Sequence, residues 1–324
     1  MLSHRIAFSV ATLVAALAIA PAVQAQDYPA RPIRMIVPFA AGGGSDISAR
    51  TMSDALGQAL GTTIVVDNRP GAGSVLGTDL ATKAAPDGYT TLLGNISMTF
   101  NAALYKKLPY NALRDLAPIS LATEQPNIIV THPSLPAKTL QEFIALARTQ
   151  PGKLTYASAG LGSGTHLAME MLMMSQKISL VHVPYKGTGP AITALLGNET
   201  SAFMSTFASA LPHVRSDRLR ALAVTTKKRA PPLPEVPTVE ESGVPGFEYA
   251  TWYGVLAPAA TPKPIINKLN KIIVAVLSTP DMQDRYARQG VNAIPGTVAE
   301  FSKLFKSETD KWARVVRDAK IPQQ

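Results

Sequence analysis

Three consecutive glycines stand where a short apolar run meets a helical pattern: Ile33-Arg34-Met35-Ile36-Val37-Pro38-Phe39-Ala40-Ala41-Gly42-Gly43-Gly44-Ser45-Asp46. Glycines between a strand and a helix let backbone N–H groups turn toward a bound group. The helix start adds unpaired donors and the positive end of its dipole. The chemistry this supports is the seating of an anion, a carboxylate or a phosphate. A second turn, Ser158-Ala159-Gly160-Leu161-Gly162-Ser163-Gly164-Thr165-His166, has the same character. Two such turns, far apart in the chain, predict one anion held between two lobes. The expected contacts are the N–H groups around Gly43, Gly44 and Ser45 from one side. N–H and hydroxyl donors of Ser158, Gly162, Ser163, Gly164 and Thr165 answer from the other. No arginine lies in either turn, which argues against a bidentate guanidinium clamp.

Several neighbours carry two readings each. Asp46 is an N-cap or a brace for the glycine turn, or else a polar ligand contact. Phe39 walls the pocket or packs at a strand end. Tyr185 and Lys186, before Gly187, line the cleft or mark a strand exit. Ser97 and Thr99 follow the Leu92-Leu93 strand, with hydroxyls in reach of a cleft. Among the histidines, His166 alone adjoins a candidate site; His132, His182 and His213 read as ordinary loop or strand residues.

The usual catalytic signatures are missing. There is no G-x-S-x-G elbow and no H-E-x-x-H, and the five histidines lack metal-ligand spacing. The glycine turns match neither a P-loop nor G-x-G-x-x-G; Gly71-Ala72-Gly73-Ser74-Val75-Leu76-Gly77 misses the latter by one residue. No cysteine occurs, so disulfides and thiolate chemistry are excluded. No catalytic residue, metal or cofactor is expected.

Short β-type runs alternate with helical ones. Strands are expected at Ile33 to Val37, Ile64 to Val66, Thr91 to Leu93, Ile128 to Val130 and Leu154 to Ala157. Others are expected at Leu180 to Val183, Ala202 to Met204, Leu219 to Val224 and Trp252 to Ala257. They are apolar on both faces, as in a buried, mostly parallel sheet. Thr139-Leu140-Gln141-Glu142 and Thr297-Val298-Ala299-Glu300 are capping boxes. Ile265, Ile266, Leu269, Ile272, Ile273 and Val276 mark the buried face of a helix opening near Thr261-Pro262. Such alternation implies three-layer α/β architecture. The proline-rich stretch Pro231 to Pro245 is stiff enough to route the chain between lobes.

Met1 to Ala25 reads as a secretory signal peptide, with Arg5, an apolar run from Ile6 to Ala20 and the small-residue close Val23-Gln24-Ala25. The run is shorter than the roughly 20 residues of a spanning helix. The formal charge is +9, one less without Arg5. The charges are scattered, which favours solubility over a nucleic-acid surface.

Taken in order, these residues resemble the extracytoplasmic solute-binding proteins of tripartite tricarboxylate transporters, the Bug family. The likeness runs from Tyr28-Pro29-Ala30-Arg31-Pro32-Ile33 and the triple-glycine turn through Val66-Asp67-Asn68-Arg69-Pro70-Gly71-Ala72-Gly73 and Ala85-Pro86-Asp87-Gly88-Tyr89-Thr90. It continues in Gln150-Pro151-Gly152-Lys153-Leu154-Thr155-Tyr156-Ala157-Ser158, Val183-Pro184-Tyr185-Lys186-Gly187 and Leu233-Pro234-Glu235-Val236-Pro237-Thr238. The resemblance implies a type II periplasmic-binding-protein fold: two three-layer α/β lobes, two crossovers and a ligand cleft between. Residues 1–25 would be the signal peptide, 26–125 plus 249–324 lobe one, and 126–248 lobe two. It implies a small organic carboxylate as ligand, held by loops of both lobes with few charged side chains. Membrane transporter subunits would be the partners of a periplasmic monomer that binds no nucleic acid. Aspartates expected near Gly197 to Thr206 are replaced by Ser201 and Thr206, which makes the pocket less acidic if that strand end faces it. Two rival functions are a ligand-sensing input to a signalling system and a secreted hydrolase using Ser158 or Ser163 with His166.

Overall fold

The computed structural model describes residues 28–318, and every element below lies within Arg31–Gln324. The expected signal peptide lies outside the described residues. Among the described residues ten strands form: β1 Ile33–Val37, β2 Ile64–Asn68, β3 Thr90–Asn95, β4 Leu116–Thr131, β5 Thr155–Ser158, β6 Val181–Pro184, β7 Ala202–Thr206, β8 Arg220–Val224, β9 Ala250–Pro258 and β10 Asn292–Ala293. Between them run α1 Gly44–Leu60, α2 Val75–Thr82, α3 Ser97–Leu104, α4 Ala112–Asp115, α5 Leu140–Thr149, α6 Gly164–Gln176, α7 Thr188–Leu196 and α8 Phe207–Arg215. After β8 come α9 Lys263–Leu277, α10 Pro280–Ala287 and α11 Val298–Asp318.

The strands order as β2-β1-β3-β9-β4-β7-β5-β6, with β8 and β10 also paired to β4. β1 pairs in parallel with β2 and β3, and β5 in parallel with β6 and β7. β4 and β9 run against their neighbours. The expected mostly parallel sheet is therefore a mixed one. Apolar runs report burial on both faces but not strand direction, which is decided by where the chain crosses over.

β4 is the pivotal strand. From Leu116 to Pro126 it pairs with β9; from Asn127 to Thr131 it pairs with β7, and Ile128 to Thr131 also pair with β8. Only its last part is legible as a strand in the sequence. Its first part, Leu116-Ala117-Pro118-Ile119-Ser120-Leu121-Ala122-Thr123-Glu124-Gln125-Pro126, carries two prolines that break the alternation signal.

The helices follow their patterns. Thr139 Oγ1 accepts from Glu142 N at 3.1 Å, and Leu140, Phe143, Ile144 and Ala147 bury one face of α5. At α11 the capping box closes in both directions: Glu300 N to Thr297 Oγ1 at 3.2 Å and Thr297 N to Glu300 Oε2 at 2.8 Å. α9 buries Ile266, Leu269, Ile273 and Leu277; Ile265, Ile272 and Val276 are only partly covered. Each fully buried aliphatic side chain stabilises by about 1.5–3 kcal/mol. The proline-rich stretch is not a free spacer. Leu233, Val236, Val239 and Val244 are buried, and Val239 N bonds Val224 O at 2.8 Å.

Candidate functional site

β1 delivers the chain to the first glycine turn, and α1 leaves it at Gly44. In the first helical turn no i−4 carbonyl is available. Among the described residues, the amides of Gly44 and Ser45 bond to nothing in the protein. Asp46 holds the turn in shape: its Oδ2 accepts from Gly42 N at 3.0 Å, and Arg50 Nε bonds its Oδ1 at 3.0 Å. Its carboxylate is thereby spent on the turn and does not line the cavity.

The second turn satisfies most of its own amides. Gly162 N bonds His166 Nδ1 at 3.4 Å, Ser163 N bonds Gly160 O at 3.0 Å, and Gly164 N bonds Ser97 Oγ at 3.0 Å. Ser158 Oγ accepts from Gly160 N at 3.1 Å and pairs with His182 Nε2 at 2.6 Å. The expectation of free N–H donors at Gly162, Ser163 and Gly164 is corrected here. A buried turn must pair its backbone groups. Thr165 Oγ1 accepts from Ala159 N at 2.8 Å, Ser163 Oγ accepts from His166 N at 3.3 Å, and the two hydroxyls pair at 3.0 Å, so the Thr165 amide and one hydroxyl proton of that pair are left unspent.

One cavity of about 300 Å³, mouth included, lies between the turns. Phe39, Gly43, Gly44, Ser45, Ser163, Gly164 and Thr165 line it, as do Asn95, Ala159, Thr188, Thr206, Thr251 and Tyr253. The N-termini of α1, α6, α7 and α8 all contribute. No Asp, Glu, Lys, Arg or His is among its walls. Four helix N-termini with no formal charge make a field that favours an anion through backbone dipoles alone.

The remaining candidates sit outside the lining. Ser97 reaches the site only through Gly164 N. Thr99 turns its hydroxyl onto Ile96 O at 2.7 Å. Ser158, Gly162 and His166 belong to the second turn but are not among the cavity's walls. Tyr185 bonds through its amide to Ser158 O at 3.0 Å. Ser201 lies at the far end of β7, with its hydroxyl on Thr155 N at 3.2 Å, while Thr206 reaches the cavity. Thr188 follows Gly187 and Thr206 precedes α8, so both are signalled by helix starts. Thr251 and Tyr253 come from β9, whose position depends on the crossover, and nothing local marks them.

Behind α6, His166 and His182 stack with ring centroids 4.2 Å apart, and Tyr156 covers His182 at 4.8 Å. Burial pushes His166 down to about 3, with the neighbouring His182 adding to it, and pushes His182 down to about 4. Glu170 Oε1, 3.7 Å from His166 Nε2, does not offset that desolvation. Both histidines are therefore neutral when folded and titrate near 6.5 when unfolded. The unfolded chain binds more protons between those values, so stability is full above about pH 6.5 and falls as pH drops toward about 4. Thermal melts of His182→Phe should show a flatter loss between about pH 7 and about pH 4.5 than the parent protein.

Hydrogen bonds join the loops on both flanks of the cavity. Ala40 N bonds Lys186 O at 3.2 Å. On the other flank Tyr105 Oη shares its proton between Ala72 O and Leu161 O, both at 3.1 Å. Removing one such bond is worth about 1 kcal/mol. Tyr105→Phe should weaken ligand binding roughly fivefold, chiefly through faster release, as stopped-flow would read.

An α/β chain with a curled sheet and β4 and β9 crossing its middle has the type II periplasmic-binding-protein fold, as its similarity to solved periplasmic binding proteins shows. The chain belongs to the tripartite tricarboxylate transporter family receptors, whose family model matches residues 48–321. Such receptors are periplasmic solute-binding proteins. The structure of periplasmic binding protein BugD is similar, with a TM-score of 0.89 and 35% identity over 92% of this chain and 100% of BugD. An R. palustris protein solved with adipate has a TM-score of 0.89 and 31% identity, covering 92% of this chain and 100% of that one. MatC from Rhodopseudomonas palustris, solved with bound malate, has a TM-score of 0.85 and 32% identity, covering 89% of this chain and 100% of that one.

Proposed function

We propose that the protein is a periplasmic receptor that closes on a small organic dicarboxylate and presents it to the membrane subunits of a tripartite tricarboxylate-type transporter. The observation that carries this is the convergence of four helix N-termini on one cavity without a charged side chain. Free amides at Gly44 and Ser45 lie at one turn, and the Thr165 amide with one hydroxyl proton of the Ser163–Thr165 pair lies at the other. The adipate and malate held by its structural relatives have the matching chemistry, two carboxylates on a short carbon chain. The export signal Met1 to Ala25 is the route to the periplasm. The receptor acts as a monomer, without nucleic acid and without catalysis. In support of the last, Ser158 is fully buried and bonded to His182 rather than to His166. Lobe one comprises 26–125 plus 249–324, and lobe two 126–248. The change of β4 partner between Pro126 and Asn127 supports that division.

Calorimetry against short dicarboxylates, tricarboxylates, monocarboxylates and amino acids tests the reading. A micromolar dissociation constant, about −8 kcal/mol, is expected for at least one dicarboxylate. Amino acids should bind far more weakly, because no carboxylate lines the cavity to meet an ammonium group. Silence across the carboxylate panel would overturn the proposal.

A further inference from the structure

Gln125 lies on β4 at its change of partner and is fully buried. It does not line the cavity, yet it touches two walls of it. Its Oε1 accepts from Ala208 N, in the first turn of α8, at 2.9 Å. Its Nε2 donates to the Tyr253 phenol on β9 at 3.2 Å. The first of these bonds settles the second. A backbone N–H can only donate, so the amide oxygen must face Ala208 and the NH2 must face Tyr253. The phenol oxygen is then an acceptor toward Gln125, and its own proton is released to point elsewhere. Tyr253 lines the cavity beside Ser45, so that proton has the Ser45 hydroxyl or a bound anion as its partner. Burial raises the phenol well above its ordinary range, and it stays a donor at every pH the protein meets.

We propose that Gln125 is a positioning residue that turns the Tyr253 hydroxyl toward the ligand, making Tyr253 a hydrogen-bond donor to a carboxylate held at the N-terminus of α1. The inference rests on the carboxylate reading and adds to it a donor from β9, outside both glycine turns. It also joins the site to the strand on which the two halves of the sheet meet. A hydrogen bond to a charged group is worth about 1.5–3 kcal/mol. That corresponds to roughly a 10- to 150-fold change in dissociation constant.

The test is a double-mutant cycle, read by calorimetry with the dicarboxylate that the parent protein binds most tightly, beside thermal melts of the unliganded proteins. Tyr253→Phe should weaken binding at least tenfold. Gln125→Met should weaken it several-fold, and the double variant should bind no more weakly than Tyr253→Phe alone. Losses that multiply would overturn the inference, as would wild-type affinity in either single variant. A Gln125 that serves only the fold would lower the melting temperature and leave affinity intact, which also overturns it. Should Gln125→Met not fold, Gln125→Glu replaces it. Its carboxylate still accepts from Ala208 N and draws the phenol proton away from the cavity. Affinity must then fall where Tyr253 is intact and fall less when the same change is made on top of Tyr253→Phe. If the parent protein binds no carboxylate, the receptor reading fails and the inference with it; if it binds and Tyr253→Phe binds equally, the inference alone fails.

Discussion

Gly44→Ala should weaken carboxylate binding by at least about 100-fold while leaving the protein folded, an effect near 3 kcal/mol. The backbone at Gly44 is ordinary helix start, so alanine is conformationally acceptable and even a better helix former. Space forbids it. A Cβ at this position would sit 2.5 Å from Gln125 Nε2, 2.5 Å from the Tyr253 hydroxyl and 2.9 Å from Thr206 Oγ1. Those atoms belong to β4, β9 and the N-cap of α8, which are fixed by their own bonds. The methyl group must therefore push α1 off the other walls, and the free amides of its first turn lose their aim. Gly61→Ala is the control. Gly61 has φ +67° and nothing within 4 Å, so that change strains the end of α1 by about 1 kcal/mol without touching binding. Calorimetry and thermal melts of the two variants separate the cases. Wild-type affinity in Gly44→Ala would mean that the cavity has slack which its atomic contacts deny.

Thr206→Asp should have the second large effect, a loss of dicarboxylate binding on the order of 1,000-fold. Thr206 is the N-cap of α8 and lines the cavity. Its hydroxyl makes no cap bond; it pairs with Ser209 Oγ at 3.0 Å. Aspartate is a favourable N-cap, so the helix should not suffer. A carboxylate placed there meets the ligand's own charge. Two like charges about 4 Å apart at an effective dielectric of about 20 repel by about 4 kcal/mol. The same change supplies the partner that an ammonium group lacks in the native cavity. Calorimetry should therefore show dicarboxylate binding lost and weak heats appearing for amino acids of similar length. Unchanged dicarboxylate affinity would place the bound anion away from α8.

These two residues show how far the sequence can be read. Gly44 is legible because a glycine run between a strand and a helix has few other uses, and the chemistry of that turn is local. Thr206 stands out in the chain only as a departure from an expected acidic strand end. Whether it faces the cavity depends on β7 lying beside β4. Asp46 is ambiguous for a physical reason: a carboxylate at the third helical position can brace its own turn or meet a ligand, and only the Gly42 and Arg50 distances separate the two. The second turn is legible as a turn, but its free donors are not. Composition does not tell which amides a loop consumes internally, and Ser97, a sequence-distant residue, takes Gly164 N. The pairing of Ser158 with His182, across two adjacent strands, is likewise invisible in the chain order.

Local chemistry is written into the chain: two glycine turns at strand-to-helix junctions, amphipathic stripes, capping boxes and the family to which the whole pattern belongs. These depend on contacts a few residues apart, and such contacts leave a spacing behind. The assembly of the site is decided in three dimensions. Thr251, Tyr253 and Asn95 enter it, with Gln125 buried behind them, because β9 runs antiparallel between β3 and β4 in the middle of the sheet, and pairing between residues so distant in the chain leaves no periodic trace in any of these strands.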